Sequence, residues 1–156
     1  RTGATVGFSN YSFHSVTVED HENKFLPNGV FPTGESLFQA TKKSNDLTYV
    51  QRQIQAKSPK VSKAIAQRLE VTDEWMNNRE AIMRCIVRLK FDQHDYLRES
   101  LLRTGLRKII FNSRRDDFFG TGPSQDGNNI LGKILKELRE EYQRNLIRVL
   151  DLNMNL

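Results

Sequence analysis

A single cysteine, Cys85, means that no disulfide can form within the chain, which excludes a small disulfide-stapled scaffold. The same scarcity suits a reducing compartment, so an intracellular site in cytoplasm or nucleus is expected. The three histidines, His14, His21 and His94, have neither metal-ligand spacing nor cysteine partners, and neither a metal nor another cofactor is expected. No run approaches the roughly 18 apolar residues needed to span a bilayer, so no membrane partner is expected. Blocks of five like charges, low-complexity tracts and solenoid-length repeats are all missing. Missing too is the phosphate-binding run G-x-x-x-x-G-K-S/T: Gly132-Lys133 is followed by Ile134 and falls inside a predicted helix. The absence of G-x-S-x-G removes support for a hydrolase built on a nucleophile elbow. The chain starts at Arg1 rather than Met and reads as a fragment or processed product, so the lack of a leader excludes little.

What is present suits one globular domain. A length of 156 residues buries a core without metal or disulfide help, and 28% charged residues keep its surface wet. The excess of Lys and Arg over Asp and Glu gives a net charge of +5, from basic residues that read as scattered. Such an excess suits a nucleotide, a phosphate ester or a nucleic-acid backbone, with a salt-dependent contribution to binding and no visible base readout.

Residues 6–31 read as the β part. Ser15-Val16-Thr17-Val18-Glu19 alternates as a half-buried strand does, and Pro27-Asn28-Gly29 is a turn, so a small antiparallel element is predicted. Ahead of it, Gly7-Phe8-Ser9-Asn10-Tyr11-Ser12 is a turn rich in aromatics and hydroxyls, either a surface loop or one whose rings stack on a ligand. Helices follow. One runs from about Asp46 to Ala56 with Leu47, Val50 and Ile54 on its apolar face. The next starts at Ser58-Pro59, with Val61, Ile65 and Leu69 as its apolar residues. Thr72-Asp73 opens a long helix with Trp75, Ile82, Met83, Ile86, Leu89 and Lys90 near one stripe, which also places Cys85 as a small buried residue. Tyr96, Leu97, Leu101 and Leu102 mark another, stopped by Thr104-Gly105. Lys108–Asn112 reads as a short buried strand. A long loop leads to a final helix carrying Ile130, Leu131, Ile134, Leu135, Leu138 and Tyr142 and running toward Leu150. The sum is an α+β, predominantly α-helical single domain, with its core at about 6–142 and a helical extension and tail at 143–156.

The chain is organised around Pro32-Thr33-Gly34-Glu35-Ser36-Leu37-Phe38-Gln39-Ala40-Thr41-Lys42-Lys43. Thr33 caps a helix in which Glu35, Phe38, Gln39 and Lys42 share a face by their i, i+3, i+4, i+7 spacing. That face carries a carboxylate, a ring, an amide and an ammonium where a core helix has Leu, Ile or Val. Two readings stand: Glu35 complements the helix dipole and Lys42 is solvated, or the face is the wall of a site. A second candidate is Arg114-Arg115-Asp116-Asp117-Phe118-Phe119-Gly120-Thr121-Gly122, where glycines permit close approach of a ligand to the backbone. Asn129 is placed to cap the last helix, whose N-terminus beside Gly127-Asn128 is a ready phosphate site.

Taken in order and spacing, these pieces resemble the NADAR (YbiA-like) family from Gly7 to about Glu141. The matching pieces are Phe8-Ser9-Asn10-Tyr11-Ser12, Pro32-Thr33-x-Glu35-x-x-Phe38-Gln39-Ala40-x-Lys42, Ser58-Pro59, Trp75, Met83 and Lys90-Phe91-x-Gln93. They continue with Leu101-Leu102-x-Thr104-Gly105, Asp116-x-x-Phe119-Gly120-x-Gly122, Asn129-x-Leu131-Gly132 and Arg139. The chain departs from the pattern at Ser36, where His is usual, at Phe31 and Phe119, where Trp is usual, and at Phe111, where Glu is usual. The resemblance implies N-glycosidase chemistry without a cofactor. The implied substrate carries ADP-ribose, as in ADP-ribosylated guanine of DNA or RNA; the alternatives are a phosphoribosylated riboflavin-pathway intermediate and plain ADP-ribose binding without turnover. Family residues tied to catalysis match Glu35, Trp75 and Asp116, and Lys42 matches the lysine of the same helix motif; the catalytic roles are assigned to Glu35, Asp116 and Lys42. Contacts to substrate are assigned to Phe8, Ser9, Asn10, Phe38, Gln39, Trp75, Lys90, Gln93, Phe119, Gly120, Gly122, Asn129, Leu131 and Gly132. In such chemistry a carboxylate stabilises the oxocarbenium character that develops at C1 of the ribose, while a lysine amine is competent to attack C1 and pass through a Schiff base.

Overall fold

The computed structural model describes residues 6–156, and the chain forms two compact units, one ending at His94 and the other running Asp95–Leu156. The architecture is α+β and predominantly helical. Six α-helices, two short 3-10 helices and one two-stranded sheet make up the regular structure of the described residues.

In the first unit, strands β1 (Val16–Val18) and β2 (Gly29–Phe31) pair antiparallel with Val16 opposite Phe31 and Val18 opposite Gly29. Val16, Val18 and Phe31 point inward and are buried, while Thr17 faces out, so the alternation legible in the sequence is the one that folds. The long connection is pinned by a reciprocal pair: Asp20 N donates to Asn28 Oδ1 at 2.8 Å, and Asn28 Nδ2 donates to Asp20 Oδ1 at 3.0 Å. Helix α1 (Gly34–Ala40) follows and runs on into a 3-10 turn, Thr41–Lys43. Thr33 caps α1, its hydroxyl accepting from Ser36 N at 3.0 Å. The Ser36 hydroxyl in turn accepts from Thr33 N at 3.2 Å, which closes a capping box. Three more helices surround it: α2 (Leu47–Ile54), capped by Asp46; α3 (Pro59–Ala66), capped by Ser58 with proline at its first position; and α4 (Asp73–Gln93), capped by Thr72. Helix α1 packs against α2, α3 and α4, and every one of its residues is buried. It is therefore a central helix, buried around its whole circumference.

The faces of α2 and α3 also differ from the apolar reading. Leu47 is 82% exposed and Val61 42% exposed, whereas Tyr49, Gln53, Pro59, Ser62 and Ala66 are the buried positions alongside Val50. The Tyr49 and Gln53 side chains turn inward because they hydrogen-bond to each other and to the backbone, as described below. On α4, Trp75, Ile82, Met83, Ile86, Val87, Lys90 and Phe91 are buried, but Cys85 is only partly covered and accepts a hydrogen bond from Asn23 Nδ2 at 3.6 Å.

The second unit consists of α5 (Asp95–Leu102), a long irregular segment, and α6 (Ile130–Met154), with α5 packed on α6. Leu97 and Leu101 of α5 and Leu131, Ile134, Leu135 and Leu138 of α6 supply its apolar interior. Gly105, with φ of 60°, ends the α5 turn as expected. Arg139 is buried on α6 and ties that turn down, its Nη1 donating to Thr104 Oγ1 at 2.7 Å and to Arg107 O at 2.8 Å. The predicted strand at 108–112 does not form, because no second strand offers its edge; an asparagine side chain takes that place. Helix α6 runs past Leu150 to Met154, and every residue from Arg144 onward is exposed.

Candidate active site

Glu35 stands at the second position of α1, where its backbone N donates to Asn10 O at 2.9 Å, so the aromatic turn lies directly on the start of the helix. That contact needs Gly34: a Cβ there would meet Asn10 Oδ1 at 2.9 Å. The Glu35 carboxylate is 7% exposed, and its Oε1 accepts from Gln39 Nε2 at 2.7 Å across one helical turn. A carboxylate this buried depends on such partners. Gln39 is itself held from behind. Its carbonyl accepts from the Tyr49 hydroxyl at 2.8 Å, and Tyr49 in turn accepts from Gln53 Nε2 at 3.2 Å, which also reaches Ser62 O at 3.2 Å. Burial raises the Tyr49 pKa and keeps the hydroxyl a donor. The inward polar faces of α2 and α3 thus fix the back of α1. Two buried acceptors, Asn10 Oδ1 and Gln39 Oε1, have no hydrogen-bond partner within the protein.

Lys42 lies in the turn after α1, half-buried, with its Nζ 5.9 Å from the centre of the Phe38 ring and 5.3 Å from that of Trp75. The two rings pack 5.4 Å apart, and Trp75 Nε1 donates to Thr41 Oγ1 at 3.0 Å, which locks the indole. Burial lowers the Lys42 pKa; Glu35 opposes this by attraction, and Lys63 adds to it by repulsion. The result is an amine closer to its neutral, nucleophilic form, next to a buried carboxylate and over an aromatic floor. Spacing in the sequence brings Glu35, Phe38, Gln39 and Lys42 together, and the fold adds Trp75 and Asn10 to them. Tyr49, Gln53 and Lys63 were not legible as parts of this arrangement.

Four of the remaining sequence-assigned residues of the first unit are engaged structurally. Phe8 packs on Phe91 with ring centres 5.5 Å apart. Lys90 is 1% exposed, and its Nζ donates to Ser9 O at 2.8 Å and Ser12 Oγ at 2.7 Å, pinning the aromatic turn to α4. That burial lowers its pKa to about 7. Ser12 Oγ also lies 3.0 Å from His14 Nδ1, and the His14 pKa is lowered by burial, then by Lys90 and His94. Gln93 spends both amide atoms on Thr17 of β1, each at 2.8 Å.

In the second unit, Asp116 Oδ1 accepts from Phe118 N at 3.0 Å and Phe119 N at 2.8 Å, shaping the loop as a turn. The Phe118 and Phe119 rings meet edge to face, 4.8 Å apart. Gly122 has φ of 70°, and the close approach allowed in this loop is to its own chain: Gly122 N donates to Asp116 O at 3.0 Å. Gly132 lets α6 press on the 109–111 backbone, since a Cβ would meet Ile109 O at 2.3 Å. Asn129 does not cap α6 with its side chain. Its φ is 50°, and its amide pairs with the extended segment instead, accepting from Phe111 N at 2.9 Å and donating to Ile109 O at 3.0 Å. The expected phosphate site at the start of α6 is also taken: Asn129 N, Ile130 N and Leu131 N donate to Gly120 O, Phe118 O and Phe119 O at 2.9, 3.1 and 3.0 Å. Leu131 and Gly132 are buried.

With this geometry in hand, comparison with known proteins gives a consistent answer. A family model described as the NADAR domain matches residues 1–143. N-glycosidase YbiA of Shigella flexneri (strain 8401) is 32% identical over 136 residues, covering 86% of this chain and 79% of that protein. A riboflavin biosynthesis protein of Vibrio vulnificus is 32% identical over 127 residues, covering 78% of this chain and 34% of that protein. Among solved structures, the NMR structure of the E. coli protein YbiA superposes with a TM-score of 0.76 at 30% identity, covering 90% of this chain and 80% of that one.

Proposed function

The chain belongs to the NADAR domain family, and from that premise we propose that it is an N-glycosidase that releases ADP-ribose from ADP-ribosylated guanine bases in nucleic acid. The YbiA relative is named an N-glycosidase. The observation that carries the reading in this chain is the buried Glu35 carboxylate, held by Gln39, beside the Lys42 amine whose pKa burial lowers. The bond to be broken joins C1 of the ribose to a guanine nitrogen. As the base leaves with the bonding electrons, positive charge develops on C1 and the ring oxygen, and a fixed carboxylate in a water-poor wall stabilises it. Glu35 is preorganised for this, because Gln39 fixes its rotamer before substrate arrives.

Lys42 supplies the attacking group in this reading. Its neutral amine adds to C1, the base takes up a proton and departs, and the ring opens to an imine. Water then adds to the imine and releases ADP-ribose and the free lysine. Trp75 and Phe38, both almost fully buried, form the floor beneath Lys42. Asp116 is assigned to positioning the ribose or the water, a role that rests on the family resemblance. Borohydride added during turnover of an ADP-ribosylated guanosine reduces the imine, and the protein gains the mass of the linked ADP-ribose; Lys42→Met gains none. An active enzyme that yields no adduct would assign the attack to water and leave Lys42 as a charge.

A second substrate class is favoured by one observation, the relative whose name places it in riboflavin biosynthesis. A phosphoribosylated pyrimidine intermediate presents the same C1–N bond, and the same carboxylate and amine would cleave it.

A further inference from the structure

The chain's positive charge is less scattered than its sequence suggests. Between Leu47 and Leu69 stand Arg52, Lys57, Lys60, Lys63 and Arg68 with no Asp or Glu among them, a stretch whose charge equals the +5 of the whole chain. This stretch is α2, α3 and their flanks. All five side chains are exposed, and none forms an ion pair among the described residues. A second acid-free stretch, Ser100–Arg115, is committed in part to the fold: Arg103 pairs with Glu99 at 3.6 Å, and Arg107 donates to Thr104 O at 3.0 Å and Arg103 O at 2.8 Å. The first stretch has no such duty.

Its position is equally informative. Helix α3 packs on α1, the helix of Glu35. Lys63 Nζ sits 5.9 Å from the centre of the Tyr11 ring, and its charge reaches Lys42. Tyr11 is 40% exposed and Phe13 72% exposed, so two rings stand open on the turn that also carries Asn10 to the start of α1. Unpaired cations next to exposed rings are the two components of single-strand nucleic-acid binding, one tracking phosphates and the other stacking bases without sequence preference. We infer that the α2–α3 face and the Tyr11–Phe13 turn bind the single-stranded nucleic acid that flanks the modified base. This rests on the reading above and deepens it, giving the polymer part of the substrate its own surface. An anionic membrane needs a broad apolar helix face, whereas α3 exposes Lys60, Lys63 and Ala64 with Val61 as its one larger apolar side chain.

The test uses the full chain and a labelled, unmodified 12-nucleotide single strand, with affinity measured by fluorescence anisotropy across a salt series. Replacing Lys57, Lys60 and Arg68 with Gln leaves Lys63 beside the site untouched. This variant is expected to lower the slope of log K against log salt by about 2, from about 0.7 per lost phosphate contact. Phe13→Ala is expected to weaken binding about tenfold with the slope unchanged. A control with the same charge change on α6, Lys136→Gln, Arg144→Gln and Arg148→Gln, is expected to leave the slope as it was. An unchanged slope in the first variant, an equal fall in the control, or preferential binding of phosphatidylserine vesicles through the same three residues overturns the inference. The measurement needs no turnover, so it separates from the activity: strand binding without ADP-ribose release would fail the proposed function and keep this surface, and release without strand binding would do the reverse.

Discussion

Lys90 carries a cost that the fold accepts for the sake of a loop. It is almost fully buried, and its two oxygen partners hold the aromatic turn without supplying a negative charge. Burial therefore brings its pKa down to about 7 from an ordinary value of 10.5. Between those two values the unfolded chain binds a proton that the folded chain has released, so stability rises with pH across that window, by up to about 1.4 kcal/mol per pH unit. Below it both states are protonated and the penalty is constant. Denaturant unfolding followed from pH 7 to pH 10 is expected to show this rise, and Lys90→Met is expected to flatten it. Lys42, lowered in the same direction, contributes with the same sign. It differs in place: its amine lies over the Phe38 and Trp75 rings and feels the charge of Glu35.

At the scale of elements, α1 shows how a helix with a carboxylate and an amide comes to be buried on all sides. The Thr33–Ser36 capping box satisfies its first amide, Tyr49 takes a carbonyl at its far end, and Gln39 satisfies Glu35. Ser36, where the family usually has histidine, is thus a working part of the helix start. Ser36→Ala is expected to cost about 1 kcal/mol, read as a lower denaturation midpoint with an unchanged denaturant slope. The caps at Thr33, Ser58 and Thr72 were legible because capping is local, decided by a side chain and the amide three residues on. The inner faces of α2 and α3 were not, since apolarity was the guide and the inward residues include Tyr49 and Gln53, placed there by hydrogen bonds that only the tertiary fold supplies, and Ser62, whose backbone carbonyl accepts one of them. The same reason explains 108–112: its apolar run suggested a strand, but a strand requires a partner, and the partner is the amide of Asn129. Within the candidate site, Glu35, Phe38, Gln39 and Lys42 were legible from helical spacing. The pairing of Trp75 with Lys42 depends on α4 packing against α1, and no local pattern carries that.

For the whole molecule, the family match and the fold agree over most of the chain, and α6 beyond residue 143 extends past the family match as an exposed helix. No helix among the described residues is long and apolar enough to cross a membrane. The most direct test is release of ADP-ribose from an ADP-ribosylated guanine oligonucleotide, comparing the wild type with Glu35→Ala. The expected result is release by the wild type and a fall of about 100-fold or more in the variant, the scale on which a lost electrostatic stabiliser acts. Equal rates in the two proteins, or no release by a wild type that binds the strand, would contradict the account.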